Sequence, residues 1–159
     1  MFLNGLAQYF PTVALIGLTL CLTLTLAAIS VIDLRTFRIP DALSIPLIIA
    51  GLLLAVTVPQ VYAADYFIGA VAAFALFAGI GEGYFRLRGV DGLGLGDAKL
   101  FAAAGAWLGW QSLPMVLLIA TTGGLLQALV MRMAHRDDRL AFGPWIACGF
   151  WAMWLCAGS

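Results

Sequence analysis

AKLFAAAGAWLGWQSLPMVLLIATTGGLLQALVM, residues 98–131, is apolar almost throughout, and whether it forms one helix or two decides the architecture. A single helix rising ~1.5 Å per residue would be about 50 Å long, well beyond the ~30 Å hydrocarbon core of a bilayer. At its middle, GWQSLP supplies Gly109, Gln111, Ser112 and Pro114, residue types that suit a tight turn better than a helix interior. The stretch therefore divides into two spans, 98–110 and 113–131. Working outward, apolar runs bounded by charges give further spans at 12–32, 42–58, 66–85 and 142–157. The expected fold is all-α: a polytopic membrane protein with six transmembrane helices, forming one membrane-embedded domain over residues 1–159.

Composition agrees. Of 159 residues, 64% are hydrophobic and 10% charged, with mean hydropathy +1.04, leaving too little polar surface to cover a water-soluble domain. Eight basic and eight acidic residues give zero formal net charge, which excludes bulk attraction to nucleic acid. The placement of the basic residues says more. Arg35 and Arg38 follow the first span, Arg86, Arg88 and Lys99 lie around the link after the third, and Arg132, Arg136 and Arg139 follow the fifth. With six spans all of these fall on one side, the cytoplasmic side by the positive-inside rule, and both termini face away from it. The first apolar run exceeds a cleavable signal core and has no Lys or Arg before it, so it reads as a retained span. Cys21, Cys148 and Cys156 lie singly in apolar stretches, without metal-ligand spacing, and are expected to pack in the core. Trp107, Trp110, Trp151 and Trp154 sit near span ends, as interfacial anchors do. Gly79/Gly83 and Gly105/Gly109 have the small-xxx-small spacing that permits close helix packing.

Ionisable groups beside a bilayer core are costly, so each requires a reason. Asp33 ends the first span, directly after AAISVI, and Asp97 opens the fourth. The six-span topology sends both to the cytoplasmic boundary, where two carboxylates from different helices can meet. Close carboxylates do not both ionise readily; one keeps its proton while the other acts as base, and the pair titrates as a unit. Taken singly, Asp33 also fits a polar residue leaving the membrane, and Asp97 a helix N-cap bonded to the amides of Lys99 or Leu100. A helix N-terminus favours an ionised carboxylate, which tilts the base role toward Asp97 and leaves the acid role to Asp33, although the residues leave that choice open.

The preceding GVDGLGLGD, residues 89–97, lacks the GK[ST] ending of a phosphate loop. Its glycines, among them Gly94 and Gly96, permit close backbone approach, so an extended substrate can add main-chain hydrogen bonds there. Glu82, near the same membrane edge, is a candidate for substrate contact or for pairing with Arg86 at i+4. Asp41, after Pro40, reads as a helix-start residue, Lys99 as a snorkelling cation, and Asp65 as a residue of the opposite face. His135 has no second His nearby, and Asp137 and Asp138 balance the surrounding Arg. No metal or cofactor is expected.

DLRTFRIPD (33–41) and GLGLGDAKL (92–100), with AAAGAWLGW (102–110) and FGP (142–144), resemble the prepilin peptidase family, membrane proteases of the G-x-G-D type. The resemblance runs from about residue 28 to 146. It implies that Asp33 and Asp97 are the catalytic pair. It also implies that the chain cuts the short basic leader from type IV pilin-like or pseudopilin precursors at the cytoplasmic face of the bacterial inner membrane. Many relatives also methylate the new N-terminus through a cytoplasmic region with paired cysteines; none is seen in this sequence, so a peptidase-only form is expected. Presenilin-like intramembrane proteases share G-x-G-D, but their first aspartate follows Tyr, whereas Ile32 precedes Asp33 here. An ion-coupled transporter would prefer midplane carboxylates and repeated halves. A non-catalytic assembly subunit of a pilus or secretion machine would tolerate neutralising both aspartates. The oligomeric state is not legible in the sequence.

Overall fold

The computed structural model describes residues 11–58, 62–88, 94–133 and 140–157. Among these, six α-helices and one 3-10 turn follow in order: α1 (Thr12–Thr36), α2 (Asp41–Thr57), α3 (Ala63–Arg88), α4 (Leu95–Leu108), the turn Trp110–Ser112, α5 (Leu113–Met133) and α6 (Gly143–Cys156). The long apolar stretch is divided where the turn residues stand. Gly109 takes φ +76°, a left-handed value that suits glycine, and its N–H closes on the Gly105 carbonyl at 3.0 Å. Pro114 then falls in the first turn of α5, where its missing N–H costs nothing.

Of the six spans expected, all six are helices among the described residues, and three of them qualify as spans on length and apolarity. Three segments are long and apolar enough to cross a bilayer by themselves: Thr12–Thr36, Ala63–Leu87 and Trp110–Met133. α2 is a shorter apolar helix of 17 residues, and α4 and α6 have 14 each. A 14-residue helix rises about 21 Å, short of a ~30 Å core; of the three shorter helices α4 is buried over most of its length, whereas α2 and α6 keep exposed residues such as Ile49 and Trp151.

α4 is the hub. From Ala98 to Leu108 every residue except Lys99 is buried, and the helix packs against α2, α3 and α6. A helix apolar all round belongs inside a bundle, and here it is built largely of Ala and Gly, so that its neighbours come close. A Cβ on Gly105 would lie 2.4 Å from the Gly69 carbonyl of α3, and one on Gly51 of α2 2.4 Å from the Trp107 ring. The other small-xxx-small pair behaves differently: Gly79 and Gly83 have nothing within 4 Å of a built Cβ, so they form no helix contact among the described residues.

Side chains expected at the membrane interface also divide. Trp107 and Trp154 are core residues, 2% and 0% exposed, packed edge to face at 5.3 Å. Trp107 donates Nε1–H to the Leu47 carbonyl at 2.7 Å, and Trp154 donates to Thr19 Oγ1 at 3.3 Å. Trp110 and Trp151 are exposed, bonded to Asp65 and Thr23. Cys21, Cys148 and Cys156, expected in the core, are exposed as well. The physical reason is shared: a helix in lipid has an apolar outside, so apolarity does not tell core from surface.

Substituting Gly105 by Ala is expected to destabilise the bundle by about 1–3 kcal/mol, because the methyl group meets backbone on α3. Gly79→Ala, facing open space, should leave stability within about 0.5 kcal/mol. Unfolding of both variants in detergent checks the contrast.

Candidate active site

The site is built where α1, α4 and α6 present their ends on one side of the bundle. α1 closes with Phe37 at φ 51°, whose N–H returns to the Asp33 carbonyl at 2.8 Å. This left-handed cap turns the chain within residues 37–40, and Pro40 in extended conformation then starts α2. The turn carries Ile39 inward, where it is 8% exposed and sits against two glycines from distant parts of the chain. A Cβ on Gly96 would lie 3.0 Å from Ile39 Cβ, and one on Gly143 3.1 Å from Ile39 Cδ1.

Asp33 is only 5% exposed, and Gly143, the first residue of α6, donates its backbone N–H to Asp33 Oδ2 at 3.0 Å. The donor is one that helix geometry leaves unused. The Trp145 and Ile146 amides bond to the Phe142 carbonyl and Pro144 has no N–H, so Gly143 supplies the outward-facing amide of that turn.

Asp97 stands in the first turn of α4, immediately before the apolar run, and is half-buried. It is not the N-cap: that position belongs to Gly94, and the Asp97 carboxylate reaches back to the Gly94 backbone N–H, as the third residue of a capping box does. The helix start and this bond both favour the ionised form, yet they are outweighed. Burial, and after it the negative charge of Asp33, push the Asp97 carboxyl up to about 7. The two carboxyl groups, from α1 and α4, thus stand within electrostatic reach of one another.

Gly94 keeps an extended backbone (φ −72°, ψ 142°), whereas Gly96 lies inside the first helical turn and is packed on Ile39. The backbone of Gly94 is engaged within the chain: its N–H meets the Asp97 carboxylate and its carbonyl accepts the Asp97 and Ala98 amides at 3.1 and 3.3 Å. Glu82 on α3 is exposed and pairs with Arg86, Oε1 to Nε at 2.8 Å. Asp41 opens α2, as read from the sequence, and in addition forms an ion pair with Lys99 at 2.6 Å that ties the start of α2 to the start of α4. Asp65 lies at the other end of the bundle, where Trp110 and Gln111 donate to its carboxylate at 3.2 and 3.0 Å. His135, Arg136, Asp137, Asp138, Arg139, Gly89 and Gly92 fall outside the described residues. Among the described residues no cluster of His, Cys, Asp and Glu has the makings of a metal site.

Two groups in this assembly escaped residue-by-residue reasoning: Ile39, whose role as a wedge appears only once the chain turns, and the Gly143 amide. The motif FGP marked the neighbourhood of the latter, but a backbone donor leaves no trace in side-chain chemistry.

Residues 20–129 match the type IV leader peptidase family. The chain is 43% identical over 148 residues to the prepilin leader peptidase/N-methyltransferase of Escherichia coli (strain K12), covering 91% of this chain and 64% of that protein. It is 41% identical over 140 residues to the protein of the same name from Dickeya chrysanthemi, covering 86% and 49%. With the Burkholderia pseudomallei (strain K96243) protein of that name it shares 41% over 152 residues, covering 92% and 48%. The chain therefore spans about half to two thirds of the length of these relatives. No solved structure matches it. The match across most of the chain, with the identities to these relatives, establishes that it belongs to the type IV leader peptidase family.

Proposed function

We propose that this chain is an aspartic endopeptidase of the bacterial inner membrane. It removes the short basic leader of type IV pilin-like or pseudopilin precursors at the cytoplasmic face, with Asp33 and Asp97 as its catalytic pair. The observation that carries the reading is the approach of these two carboxyl groups at one end of an apolar bundle, close enough for the charge of Asp33 to act on Asp97. The names and similarity of the relatives support the substrate class. Arg35, Arg38, Arg86, Lys99 and Arg132 all stand at that same end, which supports its being cytoplasmic.

The division of labour follows from the environments. With its carboxyl pushed up to about 7, Asp97 holds the shared proton near neutrality and is the acid. Asp33, whose Oδ2 accepts the Gly143 amide, is the base, since such a bond strengthens as the carboxylate gains charge. This reverses the assignment that the helix N-terminus alone suggests. In the reaction, water attacks the scissile carbonyl carbon while Asp33 takes one of its protons and Asp97 gives its own to the carbonyl oxygen. Collapse of the resulting diol returns a proton to Asp97, passes the proton of Asp33 to the departing amine and breaks the C–N bond. No metal, nucleotide or covalent intermediate enters this scheme. Gly94 and Gly96, which carry no side chain ahead of Asp97, are the candidates for close approach of the precursor, the N–H and carbonyl of Gly94 being already engaged by α4; Glu82, paired with Arg86, is the weaker candidate. The proposal concerns proteolysis alone.

Asp33→Asn and Asp97→Asn should each abolish cleavage while the protein still folds in the membrane. Purified protein incubated with a panel of leader-bearing precursors, with product masses determined, tests this; substantial cleavage by either variant refutes the pair.

The pH dependence has a definite sign. A carboxyl with a raised pKa is neutral below that value, so the donor is lost as pH rises through about 7, and the rate should fall there. Replacing Asp33 by Asn removes the neighbouring negative charge, so in that variant the infrared carbonyl band of protonated Asp97 should vanish at lower pH than in the wild type. A band whose midpoint is the same in both proteins would show that the two groups are not coupled.

A further inference from the structure

We propose that the backbone amide of Gly143 is a positioning group of the reaction, holding the buried Asp33 carboxylate in the orientation from which it works with Asp97. The inference rests on the reading of these aspartates as the catalytic pair and adds a third participant from α6. Three observations carry it. The bond is direct, 3.0 Å to Oδ2, between groups 110 residues apart in the chain. Among the described residues the Gly143 N–H has no other acceptor, while the Trp145 and Ile146 amides bond to the Phe142 carbonyl and Pro144 has no N–H to give. The approach also requires the absence of a side chain: a Cβ on residue 143 would lie 2.7 Å from Asp33 Oδ2 and 3.1 Å from Asp33 Cγ.

A carboxylate at the end of a helix can turn about its last side-chain bond, and each turn moves both oxygens. Fixing one oxygen from a helix N-terminus removes that freedom and sets the other in place, at a cost met when the protein folds and not at each turnover. A donor from the backbone of a packed helix does this better than one from a side chain, having no rotamers of its own to lose. Ile39 supports the arrangement from the other side, wedged between Gly96 and Gly143, so that the entry into α6, the carboxylate of α1 and the start of α4 share one set of contacts.

Gly143→Ala tests the proposal, with Gly149→Ala as its control. Gly149 lies on the same helix and is packed as closely, a built Cβ falling 2.8 Å from the Val116 carbonyl oxygen, but away from Asp33. Both variants should lose thermal stability. Gly143→Ala is expected in addition to lower kcat about 100-fold with KM little changed, while Gly149→Ala keeps the kcat of the wild type per folded molecule. Equal kcat in the two variants, or a wild-type kcat in Gly143→Ala, overturns the positioning role. In that event inactive Asp33→Asn and Asp97→Asn proteins would leave the catalytic pair standing, whereas an active one would remove the pair and this inference together. Should Gly143→Ala fail to fold, glycine-selective 15N labelling decides the matter. The Gly143 amide proton resonance should move upfield in Asp33→Asn, where the charge-assisted bond is lost, and an unmoved resonance overturns the proposal.

Discussion

A carboxyl group inside an apolar bundle has to be protonated or hydrogen-bonded, and Asp33 meets this constraint through the amide of Gly143. Much of the surrounding local structure is arranged around that contact. The left-handed cap at Phe37 ends α1 directly beyond the carboxylate, the link 37–40 delivers Ile39 beneath α4 and α6, and glycines stand at the two points where a side chain would intrude. With water largely excluded, each polar interaction in this region is stronger than it would be at a solvated surface. That is why a neighbouring negative charge adds to burial in raising Asp97.

Holding the helix ends in register is the task of α4. Within lipid the hydrophobic effect does not drive one apolar helix against another, so association depends on close contact and on buried hydrogen bonds. The Gly69–Gly105 crossing and the seat of Trp107 on Gly51, with the Trp107 bond to Leu47, supply both. At the end carrying the aspartates, the Asp41–Lys99 pair ties α2 to the first turn of α4; at the far end, Asp65 holds the Trp110–Ser112 turn that follows it. Asp97 is therefore set on a short helix gripped at both ends, a rigid support of the kind that precise acid–base geometry demands.

Much of the fold is legible in the residues alone. Turn formers stop helices whatever their neighbours do, so the breaks at residues 37–40 and at GWQSLP stand where local chemistry puts them, whereas charges end only the apolar run, α1 continuing past Asp33 to Thr36. The two aspartates are conspicuous for the same reason, being acidic groups at the ends of apolar runs. Less legible is the use of each apolar residue. Trp107 and Trp154 look like interfacial anchors and are core; Cys21 looks like core and is exposed; Gly79 and Gly105 share one motif, and only Gly105 packs. With lipid outside and side chains inside, both environments accept the same residues, and the periodicity that marks a buried face in water is absent.

What the sequence by itself determined was therefore the number of helices among the described residues, the turns that separate them, the gathering of basic residues at one end, and the acidic residues available for a site. Tertiary structure alone decided which helices lie buried, that Lys99 meets Asp41, and that Asp33 receives its hydrogen bond from a residue more than a hundred positions away. The difference is physical. Helix limits follow from interactions a few residues long, whereas the donor to a buried carboxylate is a backbone group common to every residue except proline, and becomes particular only when folding brings it there.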